Sequence, residues 1–121
     1  MYIKVNGRHS IYAMSRVGYT QDRIQIIIYT DDPGKIPHLH FKSEKLDGCI
    51  RLDRPEYFIH GHHTSTLNTK QIRSFVKFMK SPHRHGGMTN WEYTLMLWND
   101  NNSEVEFPED YPMPDYLHEL V

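Results

Sequence analysis

Between Gly34 and Leu52 the chain reads GKIPHLHFKSEKLDGCIRL, and this run restricts the fold more than any other. His38 and His40 stand two apart inside a short apolar segment. A β-strand returns its side chains to the same face every second residue. The spacing therefore predicts both imidazoles on one face, with Leu39 and Phe41 on the other, in a core. Asp32-Pro33-Gly34 predicts a turn before this strand, and Asp47-Gly48 a turn after it. Cys49-Ile50-Arg51-Leu52 alternates as a half-buried partner strand would. The run reads as a β-hairpin with a paired-histidine face.

The flanking sequence supplies a sheet and helices to carry that hairpin. Tyr2-Ile3-Lys4-Val5 alternates and is followed by Asn6-Gly7, a strong hairpin-turn signal. Ile11-Tyr12-Ala13-Met14 predicts a second strand, within Arg8 to Val17, ended by Gly18. Arg23 to Tyr29 contains three consecutive isoleucines, Ile26-Ile27-Ile28, which suits a central strand covered on both faces. Asp53 to Thr66 is irregular. Asn68 and Gln71 form a capping-box pair. Ile72, Phe75, Val76 and Met79 then recur at i, i+3, i+4 and i+7, so a helix begins there and ends before Pro82. A second helix is predicted from Asn90 to Trp98, with Trp91, Leu95 and Trp98 on one face. The expected fold class is α+β: an antiparallel sheet of about five strands in a meander, two helices packed on one face, and an extended acidic C-terminal tail. Residues 1–102 are expected to form the single domain, and residues 103–121 a proline- and aromatic-rich tail packed on it.

Composition sets outer limits. A chain of 121 residues is one domain by length. Its 38% hydrophobic content is too high for a disordered segment. A single cysteine, Cys49, excludes an internal disulfide and fits a reducing compartment. No apolar run approaches the ~20 residues that span a bilayer, and MYIKVNGRHS has no signal-peptide core. A cytoplasmic protein without a membrane partner is expected. The net charge of −1 conceals an asymmetry. All 14 Lys and Arg lie before Asn99, against eight acids, while residues 99–121 carry seven acids and no Lys or Arg. The tail is expected to adhere through its aromatic residues, with a salt-sensitive contribution from this contrast.

Nine histidines are present, and His-x-His occurs at 38/40, 60/62 and 83/85. Two imidazoles on one strand face can chelate a divalent ion when a loop brings a third donor. The metal candidates are His38, His40, His60 and His62. Zinc is the first choice for neutral imidazoles, although no cofactor is required by the sequence. Without a metal, His38 or His40 could serve as a general base, with Arg51 steadying an anionic intermediate, as phosphodiester chemistry would need. The bland alternative has one histidine bonded to a backbone carbonyl and the other lining a groove beside Arg51 or Glu44. His62, His63, His83 and His85 lie in glycine-flanked loops, where solvated histidines are the default. Cys49, among apolar strand neighbours, reads as a buried, inert thiol.

Lys70, Arg73, Lys77 and Lys80 line the outer face of the first helix and could follow a phosphate backbone or an acidic protein. An ordinary solvated face is the plainer reading. Glu109, Asp110 and Tyr111 mark the tail as a second partner-binding surface.

Four short runs carry a family resemblance: Pro37-His38-Leu39-His40, Gly48-Cys49-Ile50-Arg51-Leu52, Leu67-Asn68-Thr69-Lys70-Gln71-Ile72 and Trp98-Asn99. In this order they resemble a widespread family of small bacterial proteins of unknown function. The resemblance implies a domain encoded beside toxin–antitoxin-like or accessory genes. The histidine-rich stretch 53–66, the His83–Gly87 loop and the acidic tail depart from that pattern. The expected function is a small interaction protein, an accessory, antitoxin-like or anti-defence factor. Its partner is expected to be a protein, with nucleic acid second, and the sequence assigns no oligomeric state. The alternative is a His-dependent, zinc-assisted phosphoester hydrolase using the His38/His40 face.

Overall fold

The structure, a computed structural model, describes residues 4–5, 8–9, 14–29, 36–102 and 106–121. The elements are strands β1 (Lys4–Val5), β2 (Arg8–His9), β3 (Met14–Tyr19), β4 (Gln25–Tyr29), β5 (His38–Lys42) and β6 (Asp47–Arg51). Helices α1 (Thr69–Lys80), α2 (Asn90–Asn101) and α3 (Tyr116–Glu119) follow. Strands β3 to β6 form one antiparallel sheet in sequence order. Among the described residues β1 and β2 pair only with each other. Among these residues the expected five-strand meander is a four-stranded sheet and a two-stranded ladder. The turns expected at Asn6-Gly7 and Asp32–Gly34, and the segment Ile11–Ala13, lie outside the described residues.

Two glycines explain where the strands differ from expectation. Gly18 was expected to end a strand, yet β3 runs through it to Tyr19. The register shifts between Arg16 and Gly18, a β-bulge, and Gly18 takes φ +156°. The Phe78 ring lies 2.9 Å from where its Cβ would be, so the helix layer approaches the bulge closely. Gly48 was expected in a turn and instead lies inside β6, opposite Phe41. A Cβ there would meet the Phe41 ring at 2.4 Å and the Ser65 carbonyl oxygen at 2.5 Å. The turn falls three residues earlier, centred in Ser43–Leu46 and closed by Ser43 N–H donating to Leu46 O at 3.0 Å.

The sheet divides its residues between two faces by parity. Ile26, Ile28, Leu39, Phe41, Ile50 and Leu52 join the core beneath the helices. Ile27, His40 and Cys49 point the other way, and all three are buried. β4 is therefore covered on both sides. α1 supplies Ile72, Phe75, Val76 and Met79, all buried, and its Asn68–Gln71 capping box is closed at both ends. α2 starts at a second box, Thr89–Glu92, and packs against β3 and β4.

Residues 106–121 contact α2 through Tyr111 and Phe107, and α1 through α3. Phe107 and Tyr116 are buried. Trp91 Nε1 donates to Tyr111 O at 2.8 Å, and Asn99 exchanges two hydrogen bonds with the Phe107 backbone. Where an extended path was expected, the chain makes the short helix α3, capped by Asp115. The first residue of α3, Tyr116, is buried and donates its hydroxyl to Arg51 O at 2.5 Å. Burial of ring and hydroxyl, with the Asp53 charge and Tyr111 as lesser causes, pushes the Tyr116 phenol well above its usual range.

Candidate metal centre

β5 places His38 and His40 on one face, opposite to Leu39 and Phe41, with ring centroids 5.1 Å apart. The β5–β6 register sets Cys49 directly opposite His40 and Arg51 opposite His38. The irregular stretch after β6 supplies the fourth side. It returns along the outer edge of β6: Arg51 N–H donates to Glu56 O and Phe58 N–H to Cys49 O, each at 2.9 Å. Tyr57 faces the core side and anchors the segment by accepting from Leu67 N–H at 2.9 Å. Phe58 and His60, two apart, stack on the histidine face at 4.5 Å. Gly61, at φ +56°, then reverses the chain so that His60 pairs with His63.

Four donors converge. One ligand atom from each of His38, His40, Cys49 and His60 lies within 4.8 Å of all the others. Cys49 Sγ is 3.3 Å from His40 Nδ1 and 3.3 Å from His60 Nε2. A tetrahedral zinc with Zn–N near 2.0–2.1 Å and Zn–S near 2.3 Å separates nitrogen from sulfur by about 3.5 Å. The Cys49 pairs already have nearly that edge. His38 Nδ1 donates to Ile36 O at 2.6 Å, which fixes its tautomer and leaves the lone pair on Nε2. This is the backbone hydrogen bond that metal-ligating imidazoles make through their second nitrogen. His38, His40 and Cys49 are buried and His60 is half-buried. Tyr29 closes the wall edge-on to His40 at 4.5 Å, and Phe58 and Trp98 flank His38 at 4.8 and 5.9 Å. A low-dielectric pocket of three imidazoles and one thiol suits an ion that accepts both nitrogen and sulfur.

The other expected site residues fall elsewhere. His62 lies outside this group: its side chain is 79% exposed, with Nε2 3.4 Å from Asp47 Oδ2. Arg51 is engaged by a neighbouring carboxylate. Its guanidinium grips Asp53 through Nε–Oδ1 at 2.9 Å and Nη2–Oδ2 at 2.7 Å. That fork holds the Asp53 carboxyl below its usual range and raises Arg51. Glu44 is exposed in the Ser43–Leu46 turn. His83 was expected in solvent and is buried. Its ring stacks on Tyr93 at 3.8 Å, and Nδ1 is 2.8 Å from Asn90 Oδ1. Lys70, Arg73, Lys77 and Lys80 are exposed on α1, as are Glu109 and Asp110. Tyr111 is engaged instead, with its hydroxyl donating to Asp53 O at 2.9 Å and its ring 4.7 Å from Phe107.

Cys49 was read as inert, although its parity with Arg51 placed it on the polar face. The misplaced turn concealed its pairing with His40. Comparison with family models, with curated proteins and with solved structures returns no match.

Proposed function

We propose that this chain is a metal-stabilised interaction module in which zinc is held by His38, His40, Cys49 and His60. One observation carries this reading: four ligand atoms from β5, β6 and the 53–66 stretch lie within 4.8 Å of one another in a largely buried pocket. Four protein donors fill a tetrahedral zinc, whereas hydrolytic zinc keeps one position for water. Arg51, the candidate anion stabiliser, is committed to Asp53. Both points favour a structural ion over a phosphoester hydrolase. The ion would cross-link the loop to the sheet and contribute its binding energy to folding.

Partner binding belongs to the surface that the metal leaves rigid. α1 presents Lys70, Arg73, Lys77 and Lys80 outward and contains no acidic residue. An acidic protein surface is the complement that this stripe favours.

Elemental analysis after gel filtration in the presence of a weak chelator tests the metal. The wild type should retain one zinc per chain, and His60→Ala or Cys49→Ser should lose it. Stripping the zinc should lower the melting temperature. A metal-free wild type whose melting is indifferent to added zinc would refute the proposal.

A further inference from the structure

The same sheet face carries donors that the inner ion does not use. Asp47 lies on β6 two residues before Cys49, and so on the same side of the sheet. His63 reaches it from the Gly61 turn, with Nδ1 2.5 Å from Asp47 Oδ1. The His63 ring stands edge-on to His40, with centroids 4.8 Å apart and planes at 90°. Ligand atoms of His40, Asp47 and His63 all lie within 4.8 Å of one another. An ordinary His–Asp pair would need only two of these residues. The third donor, on the same side and at ligand spacing, is what points to a cation.

We propose that His40, Asp47 and His63 hold a second divalent ion, open to solvent and exchangeable. Its donor set differs from the inner one in two respects. Two imidazoles and one carboxylate form a harder set than three imidazoles and a thiolate, so zinc, cobalt or ferrous ion would all suit it. Three protein donors also leave room for water, and the site is wetter, with the Asp47 side chain 28% and the His63 side chain 21% exposed. His40 is shared between the two sets. Its Nδ1 faces Cys49, and each imidazole nitrogen has one lone pair. With both ions bound, His40 must therefore bridge them through both nitrogens and release its ring proton to solvent. The proposal rests on the inner site only through this shared residue.

Equilibrium dialysis of the intact chain against zinc, followed by a weak chelator, tests it. The wild type should bind two equivalents, one chelator-labile and one retained. Asp47→Asn and His63→Gln should each abolish the labile equivalent, keep the retained one and keep the far-ultraviolet circular dichroism. Two variants guard against one failing to fold. A single equivalent at saturation that survives the chelator, with no labile one beside it, would overturn the proposal. So would two equivalents in the Asp47→Asn/His63→Gln double variant, since the labile ion would then sit on other surface histidines. A single labile equivalent that Asp47→Asn removes would uphold the outer site and refute the inner one instead.

Discussion

Replacing Gly48 by alanine adds one methyl group at a place where the fold has no room for it. The new Cβ would lie 2.4 Å from Phe41 Cζ and 2.5 Å from the Ser65 carbonyl oxygen. Ordinary contact starts near 3.4 Å, so the ring and the backbone must each retreat by about 1 Å. Phe41 is fully buried and cannot swing into solvent. Ser65 is tied to β6 through its N–H on Asp47 O at 3.1 Å and its Oγ, which accepts from Asp47 N–H at 2.8 Å. Overpacking costs ~1–3 kcal/mol, and a strained or lost backbone hydrogen bond adds ~0.5–1.5 kcal/mol. The expected loss is therefore about 2–4 kcal/mol, with no part of it from backbone strain. Urea unfolding of the metal-free protein measures it, and the variant should also bind zinc more weakly, because Ser65 helps to seat the loop that bears His60. A glycine in a two-residue turn would behave differently, as its replacement costs roughly 1–2 kcal/mol through left-handed backbone strain and leaves the metal alone. A loss below about 0.5 kcal/mol would refute the packing argument and the β5–β6 register with it.

Two further outcomes are expected. Tyr116 keeps its proton in the fold to a higher pH than in the unfolded chain, where it titrates near pH 10. Above that pH the unfolded state has lost a proton that the native state still holds, so stability falls as pH rises. Comparing urea midpoints of the wild type and Tyr116→Phe from neutral to alkaline pH should show a steeper decline in the wild type, and parallel curves would contradict the burial. Deleting residues 106–121 removes Phe107 and Tyr116 from the core and should lower the melting temperature at low and high salt alike. A loss confined to low salt would mean that charge, not ring burial, holds the segment.

The parts of the fold that depend on local pattern were readable, and those that depend on distant contacts were not. α1 could be phased from Ile72, Phe75, Val76 and Met79 because a single face of it is buried. The isoleucine run marked β4 as central because both of its faces needed apolar residues. Gly48 misled for a physical reason: Asp-Gly is a turn signal in isolation, whereas here glycine is required by the Phe41 ring, which reaches it only across a paired strand. That single shift of the turn hid Cys49 from His40. α2 was only partly visible because it is covered on more than one side, by the sheet and by residues 107–111. The His38/His40 face followed from spacing alone. The choice of His60 and His63 over His62 depends on the left-handed Gly61 and on how far the loop rides back along β6, which no local spacing encodes.

The central claim is a zinc ion on three imidazoles and one thiolate, and X-ray absorption at the zinc edge of the purified protein, after the weak chelator has removed labile metal, tests it most directly. The expected first shell has three nitrogens at about 2.0–2.1 Å and one sulfur at about 2.3 Å. Cys49→Ser, treated in the same way, should retain no zinc and give no such spectrum. A wild-type spectrum with only nitrogen and oxygen neighbours would place the ion away from Cys49 and contradict the account.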